Sequence, residues 1–176
     1  MYMYGGLGYI LGIIIAVITL WALHWDLSYF GIGKVKWWYS LKQAILYTLI
    51  IIFLNDLLLS PIIELYLFQD IDLSAFDSLR GNTNNLLIML LFMWIVAAFG
   101  EEFLYRGYIM KRAAILLGNT KRAWIIALFI SAIIFGFSHA YQGPSGILTT
   151  GLVGLMLAYI FYEHKVNLMI PILTHG

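Results

Sequence analysis

The chain has 176 residues, of which 62% are hydrophobic and 11% charged. A soluble domain carries about 25% charged residues, and one of this size leaves about 30% of its unfolded-chain surface exposed, so so much apolar surface has no place in water. A net charge of +1 offers no electrostatic footprint for nucleic acid, and the lack of cysteine excludes disulfides, thiolate metal sites and a cysteine nucleophile.

In chain order, apolar segments recur at membrane-spanning length. The first, over residues 1–25, has neither the basic start nor the small-residue cleavage site of a signal peptide, so it reads as a retained span. A helix needs about 20 apolar residues to cross a bilayer. Further spans are predicted near 41–59, 86–110, 123–141 and 146–162. A sixth apolar stretch starts at Val166 and stops at Gly176, which reaches only about half-way across. The expected fold is all-α, a polytopic membrane helix bundle of five full spans and a partial sixth, in one domain over 1–176.

The links alternate in charge. Lys34, Lys36 and Lys42 flank the first, and Lys111, Arg112, Lys121 and Arg122 the third. The second carries Glu64, Asp70, Asp72 and Asp77 against Arg80. The fourth is uncharged, and Glu163 and Lys165 mark the fifth. The positive-inside rule places the basic links in the cytoplasm and the N-terminus outside. Trp25, Trp37, Trp38 and Trp124 fall near the proposed interfaces, as aromatic belts do. Within the second link, Ser60 and Pro61 suit the cap and first position of a short surface helix, unless the second span simply continues.

The third span is interrupted by Glu101, Glu102 and Arg106. A charge at the bilayer centre costs about 2.5–3.5 kcal/mol on insertion scales, so an intramembrane ionisable group is a functional candidate by default. Glu102 and Arg106 are four apart and can pair on one helix face. Glu101 lies about 100° round from Glu102, free to point at another helix. A carboxylate so placed suits a general base. The plainer reading is an ion pair that knits the bundle, with Glu101 reaching an interface.

Two histidines sit on later segments. "IIFGFSHAYQG" places Phe135 four residues before His139, where ring and imidazole can pack. "VNLMIPILTHG" places Asn167 and His175 on either side of Pro171, which breaks or kinks a helix. His24 and His164 lie beside polar residues at span ends and are assigned no chemistry. Glu101, His139 and His175 together supply a base, a polariser and possible metal ligands. Two histidines and a glutamate can hold zinc and leave a position open for water. The same groups can activate water directly, with no metal. The cofactor is therefore Zn²⁺ or none.

These residues resemble the motifs of the CAAX protease and bacteriocin-processing family (CPBP, also called Abi). "GEEFLYRGYI" is similar to its EExxxR motif, "FGFSH" to its Phe-x-x-x-His motif, and "NLMIPILTH", from Asn167 to His175, to its third. The motifs stand in family order from about Phe99 to the end, within a family-like core over about 86–176. The resemblance implies an all-helical intramembrane peptidase of glutamate or metallo type. Glu101 and His139 would activate the attacking water, and His175 would help stabilise the oxyanion. Glu102, Arg106, Phe135 and Asn167 would support the site. The partners it implies are the lipid bilayer and a peptide or membrane-protein substrate: a prenylated C-terminal tail, a bacteriocin leader or a membrane-protein segment. The location is then the plasma membrane of a bacterium. A non-catalytic bacteriocin-immunity or peptide-binding protein on the same scaffold is the alternative reading, and a transporter with a Glu–Arg–His relay is the third. The family also places an Asn or Asp four residues beyond the third-motif histidine. This sequence stops at Gly176, so it is expected to be a fragment.

A depth check leaves a gap. With Lys111 at the inner interface, Glu101 lies about 15 Å above it, and His175 about 14 Å above Val166. His139 lies about 25 Å above Arg122, about 10 Å too high. Tilt, or a lower start to the fourth span capped by Asn119 and Thr120, is needed to bring His139 to the carboxylates. Gly100, Gly107, Gly136, Gly143 and Gly146 lie near the motifs, where small residues let helices approach or bend.

Overall fold

The computed structural model describes residues 2–67 and 69–176, with side chains from Leu7 on, and every regular element among them is a helix. Met1 of the first predicted span and Phe68 of the second link lie outside the described residues. The helices are α1 (Tyr2–Ala22), α2 (Trp37–Leu67), α3 (Thr83–Leu116), α4 (Lys121–Ser138), α5 (Gly143–Glu163) and α6 (Met169–His175). Among the described residues four stretches are long and apolar enough to cross a membrane: α2, α3, α4 and Ala140–Glu163, which contains α5. The described part of α1, Leu7–Ala22, is a shorter apolar helix.

Two boundaries differ from the sequence expectation, each for a physical reason. Ser60 and Pro61 do not open a new helix, because α2 runs through them to Leu67. A proline inside a helix lacks an N–H and its ring crowds the carbonyl four residues back. Here the strain is met by a stretch of wide i→i+5 winding over Ile52–Leu59, in which the Ser60 N–H reaches the Asn55 carbonyl. The third predicted span ends near Met110, but α3 continues to Leu116. Lys111 lies within the helix and is engaged by the first link. Its ammonium lies 4.1 Å from the centre of the Tyr29 ring and donates to the Tyr29 carbonyl.

Measured from the helix ends, that extension narrows the difference in height to about 5 Å. Glu101 stands fifteen residues above Leu116, about 22 Å, and His139 stands eighteen above Lys121, about 27 Å. Thr120 caps α4, its Oγ1 accepting from the Ala123 N–H at 3.2 Å, and Asn119 accepts from the Trp124 indole at 2.8 Å.

The links gather at two ends of the bundle. At one end Phe30, fully buried on the turn Leu27–Phe30, stacks on Phe103 of α3 with ring centres 4.6 Å apart. The α5–α6 link reaches the same turn, the Leu168 N–H donating to the Gly31 carbonyl at 3.0 Å. His164 joins this end to α2, 3.0 Å from the Tyr47 hydroxyl and 3.4 Å from that of Tyr39. At the other end the acidic second link meets the fourth. The Asp72 N–H donates to the Gln142 carbonyl at 3.1 Å, and Ser145 donates to that of Gln69 at 2.5 Å. Links one, three and five thus share an end with the basic residues, opposite links two and four. The outward face is apolar, with Trp21, Ile88 and Phe137 among its exposed side chains, as a helical bundle in lipid requires.

Candidate active site

The site is built on the upper part of α3. Wide i→i+5 winding covers Met93–Glu101 and again Phe103–Met110. Such turns are rare and gather at functional sites. They leave Glu101 and Glu102 adjacent in sequence but in different surroundings.

Glu102 is fully buried. Its Oε1 accepts from an Arg106 guanidinium nitrogen at 2.7 Å, the i,i+4 pair expected from spacing. The same oxygen lies 2.9 Å from His175 Nδ1. Arg106, also without exposed surface, gives its other terminal nitrogen to the Gly154 carbonyl on α5 at 2.9 Å. Its guanidinium carbon sits 4.6 Å from the centre of the Phe135 ring. One arginine therefore ties α3 to α4 and α5. In lipid, with no water to share the charge, each of these contacts satisfies a group that is otherwise costly to bury.

Glu101 is held differently. Its Oε2 has no hydrogen-bond partner among the described residues and faces His175 Nε2 at 3.9 Å, beyond hydrogen-bond length. The side chains of Glu101 and His175 keep 18% and 19% of their surface, while Glu102 and Arg106 keep none. The first two are the ones an incoming group can touch.

His139 stands just past the last residue of α4, where the helix ends. Its Nδ1 is 2.9 Å from the Phe135 carbonyl and 3.1 Å from the Ser138 hydroxyl, which itself donates to that carbonyl at 2.7 Å. A carbonyl only accepts, so Nδ1 carries the proton and the lone pair of the neutral ring lies on Nε2. The same reasoning applies to His175. Its Nδ1 is engaged by a carboxylate, which leaves Nε2 toward Glu101. Phe135 is the hub of the group. Its ring centre is 4.8 Å from that of His139, 6.1 Å from that of His175 and 5.0 Å from that of Tyr105.

The structure thus brings Glu101, Glu102, Arg106, Phe135, His139 and His175 into one group from α3, α4 and α6. Asn167 is not among them. Its Oδ1 accepts from the Met169 N–H at 2.8 Å, which caps α6 at the end away from His175, about 12 Å off along the axis. Tyr105 was passed over in the sequence, although it lies four residues after Glu101 and on its face. The Gly154 carbonyl had no sequence signal at all, since any residue supplies one. Asp56, inside the second predicted span, accepts from Asn55 at 2.8 Å and belongs to α2 alone. Among the described residues no three His, Asp or Glu side chains are arranged to hold a metal ion. The set Glu101, His139 and His175 therefore does not fit zinc in this arrangement.

The profile of a family described as "Type II CAAX prenyl endopeptidase Rce1-like" matches residues 83–176, the stretch that carries every member of the group. No curated protein and no solved structure matches the chain. Since the match spans more than half of its residues, the chain belongs to the Rce1-like family of type II CAAX prenyl endopeptidases.

Proposed function

We propose that the protein is an intramembrane endopeptidase that hydrolyses a peptide bond in a membrane-associated peptide or protein, with Glu101 as general base. The observation that carries this reading is the contrast between the two carboxylates. Glu102 is fully buried and bonded to Arg106 and His175, whereas the Glu101 side chain keeps 18% of its surface and makes no such pair, facing His175 Nε2 at 3.9 Å.

In this mechanism a water molecule lies between Glu101 and His139. Glu101 takes one of its protons while the water oxygen bonds to the scissile carbonyl carbon. His139 Nε2 accepts the other water hydrogen and orients the lone pair. The carbonyl oxygen becomes the oxyanion. His175, whose ring faces Glu101, helps to stabilise it. The C–N bond then breaks, and the proton held by Glu101 passes to the leaving amine. Glu102 and Arg106 touch no substrate. They fix the ring of His175 and the packing of Phe135 beneath His139.

The finer reading, a CAAX-type tail bearing a prenyl group, is supported by the family. It is tested with an internally quenched, farnesylated CAAX peptide in liposomes. Glu101→Gln is expected to lower cleavage at least about a hundred-fold, as is His139→Ala, while both variants fold. Equal product from wild type and Glu101→Gln would sink the protease reading. A bacteriocin-immunity phenotype that survived both changes would favour the binding-protein reading instead.

A further inference from the structure

Tyr9 lies on α1, outside the residues that the family profile matches. Its hydroxyl donates to the Val96 carbonyl on α3 at 3.0 Å. Val96 belongs to the wide-wound stretch Met93–Glu101. With i→i+5 pairing, the carbonyl that faces the Glu101 N–H is that of Val96. The tyrosine therefore bonds the carbonyl at the head of the very turn that ends on Glu101. A carbonyl has two lone pairs and can serve both donors.

Two further observations point the same way. A side chain at position 100 would run its Cβ into the Tyr9 hydroxyl, so the hydroxyl fits because Gly100 is a glycine. Tyr9 also lies within the electrostatic surroundings of Glu101. In lipid no water can replace the hydroxyl as the second donor to that carbonyl. Take the hydroxyl away and the turn is free to relax toward ordinary winding, which rotates Glu101 relative to Glu102 and Arg106.

We propose that Tyr9 is a positioning residue for Glu101, holding the wide turn that aims its carboxylate. The proposal rests on Glu101 being the base. It differs from a packing role, in which Tyr9 merely fills the apolar cleft of about 380 Å³ that it lines with Ile13, Ile95, Phe99 and Phe103.

The test uses the full chain in liposomes, the quenched farnesylated peptide, and amide hydrogen exchange read by mass spectrometry. Tyr9→Phe is expected to lower kcat roughly three- to fifteen-fold, the effect of one membrane-buried hydrogen bond, with KM within about twofold. Exchange is expected to rise in peptides covering 96–102 and to stay at the wild-type level in α4 and α5. Gly100→Ala should reproduce the kcat loss, and the double variant should add little to either. The proposal is overturned by unchanged kcat and exchange, by a change in KM alone, or by exchange that rises throughout the bundle. Wild-type cleavage by Glu101→Gln would remove the base assignment. The exchange result in Tyr9→Phe would then still decide whether the hydroxyl holds the turn.

Discussion

Glu101 and Glu102 are neighbours in sequence with opposite surroundings. The spacing to Arg106 was enough to assign Glu102 its partner, because i,i+4 geometry is local and survives any tertiary arrangement. The bond from His175 to Glu102 was not legible, because 73 residues separate them and only the packing of α6 brings them together. The place of Asn167, at the start of the helix that carries His175, was hidden for a related reason. A residue in a motif can serve the element that carries the motif, and this one caps α6. Arg106 is where the local and tertiary contacts meet. Arg106→Ala is expected to destabilise the protein by about 3–5 kcal/mol, because it leaves the buried Glu102 carboxylate without its guanidinium partner. Thermal unfolding in detergent checks this. Adding Glu102→Ala should recover part of the loss, and a double variant no more stable than Arg106→Ala would refute the explanation.

Among the elements, α4 and α5 make the closest approach. A Cβ on Gly136 would lie 2.6 Å from the Ile147 carbonyl and 3.0 Å from Gly151 Cα. A Cβ on Gly151 would meet nothing nearer than 3.7 Å. Gly136→Ala is therefore expected to force the helices apart, at about 1–3 kcal/mol, and to lower cleavage by moving His139, which follows one turn later. Gly151→Ala should cost little in either measurement. Equal unfolding temperatures for the two variants would show that the contact does not limit packing. Helix existence and type were readable from apolar runs. Their ends were not: α3 runs on past Lys111 to Leu116, and a lysine inside a helix reads the same in the sequence as one at its end. The wide winding was invisible for a different reason. It is a property of hydrogen-bond pairing, and apolar composition is the same with or without it.

Taken whole, the bundle has a basic end, where links one, three and five meet, and an acidic end, where links two and four meet. The charge pattern anticipated this division. We propose that the basic end faces the cytoplasm, with the N-terminus outside, by the positive-inside rule. The absence of cysteine makes the proposal simple to check. Single changes Lys34→Cys, Lys165→Cys and Asp77→Cys place thiols on exposed link residues with no background. An impermeant maleimide on intact cells is expected to label the last and to reach the first two only after lysis. The reverse pattern would invert the orientation, and labelling of Lys34→Cys and Asp77→Cys from one side would contradict the bundle itself.

Helix α1 braces the turn of Glu101 through Tyr9, and α2 braces the helix of His175, where Thr48 donates to the Thr174 carbonyl at 3.2 Å. Yet the family profile begins at residue 83, after both. The share of each spanning window that is buried rises along the chain: 6% in α2, then 17% in α3, 39% in α4 and 44% in the window that holds α5. A surface turned to lipid asks for greasiness and is indifferent to which greasy residue supplies it. The splints of this site lie outside the stretch that the family profile matches, and they are to be sought by where a hydroxyl lands rather than by what letters surround it.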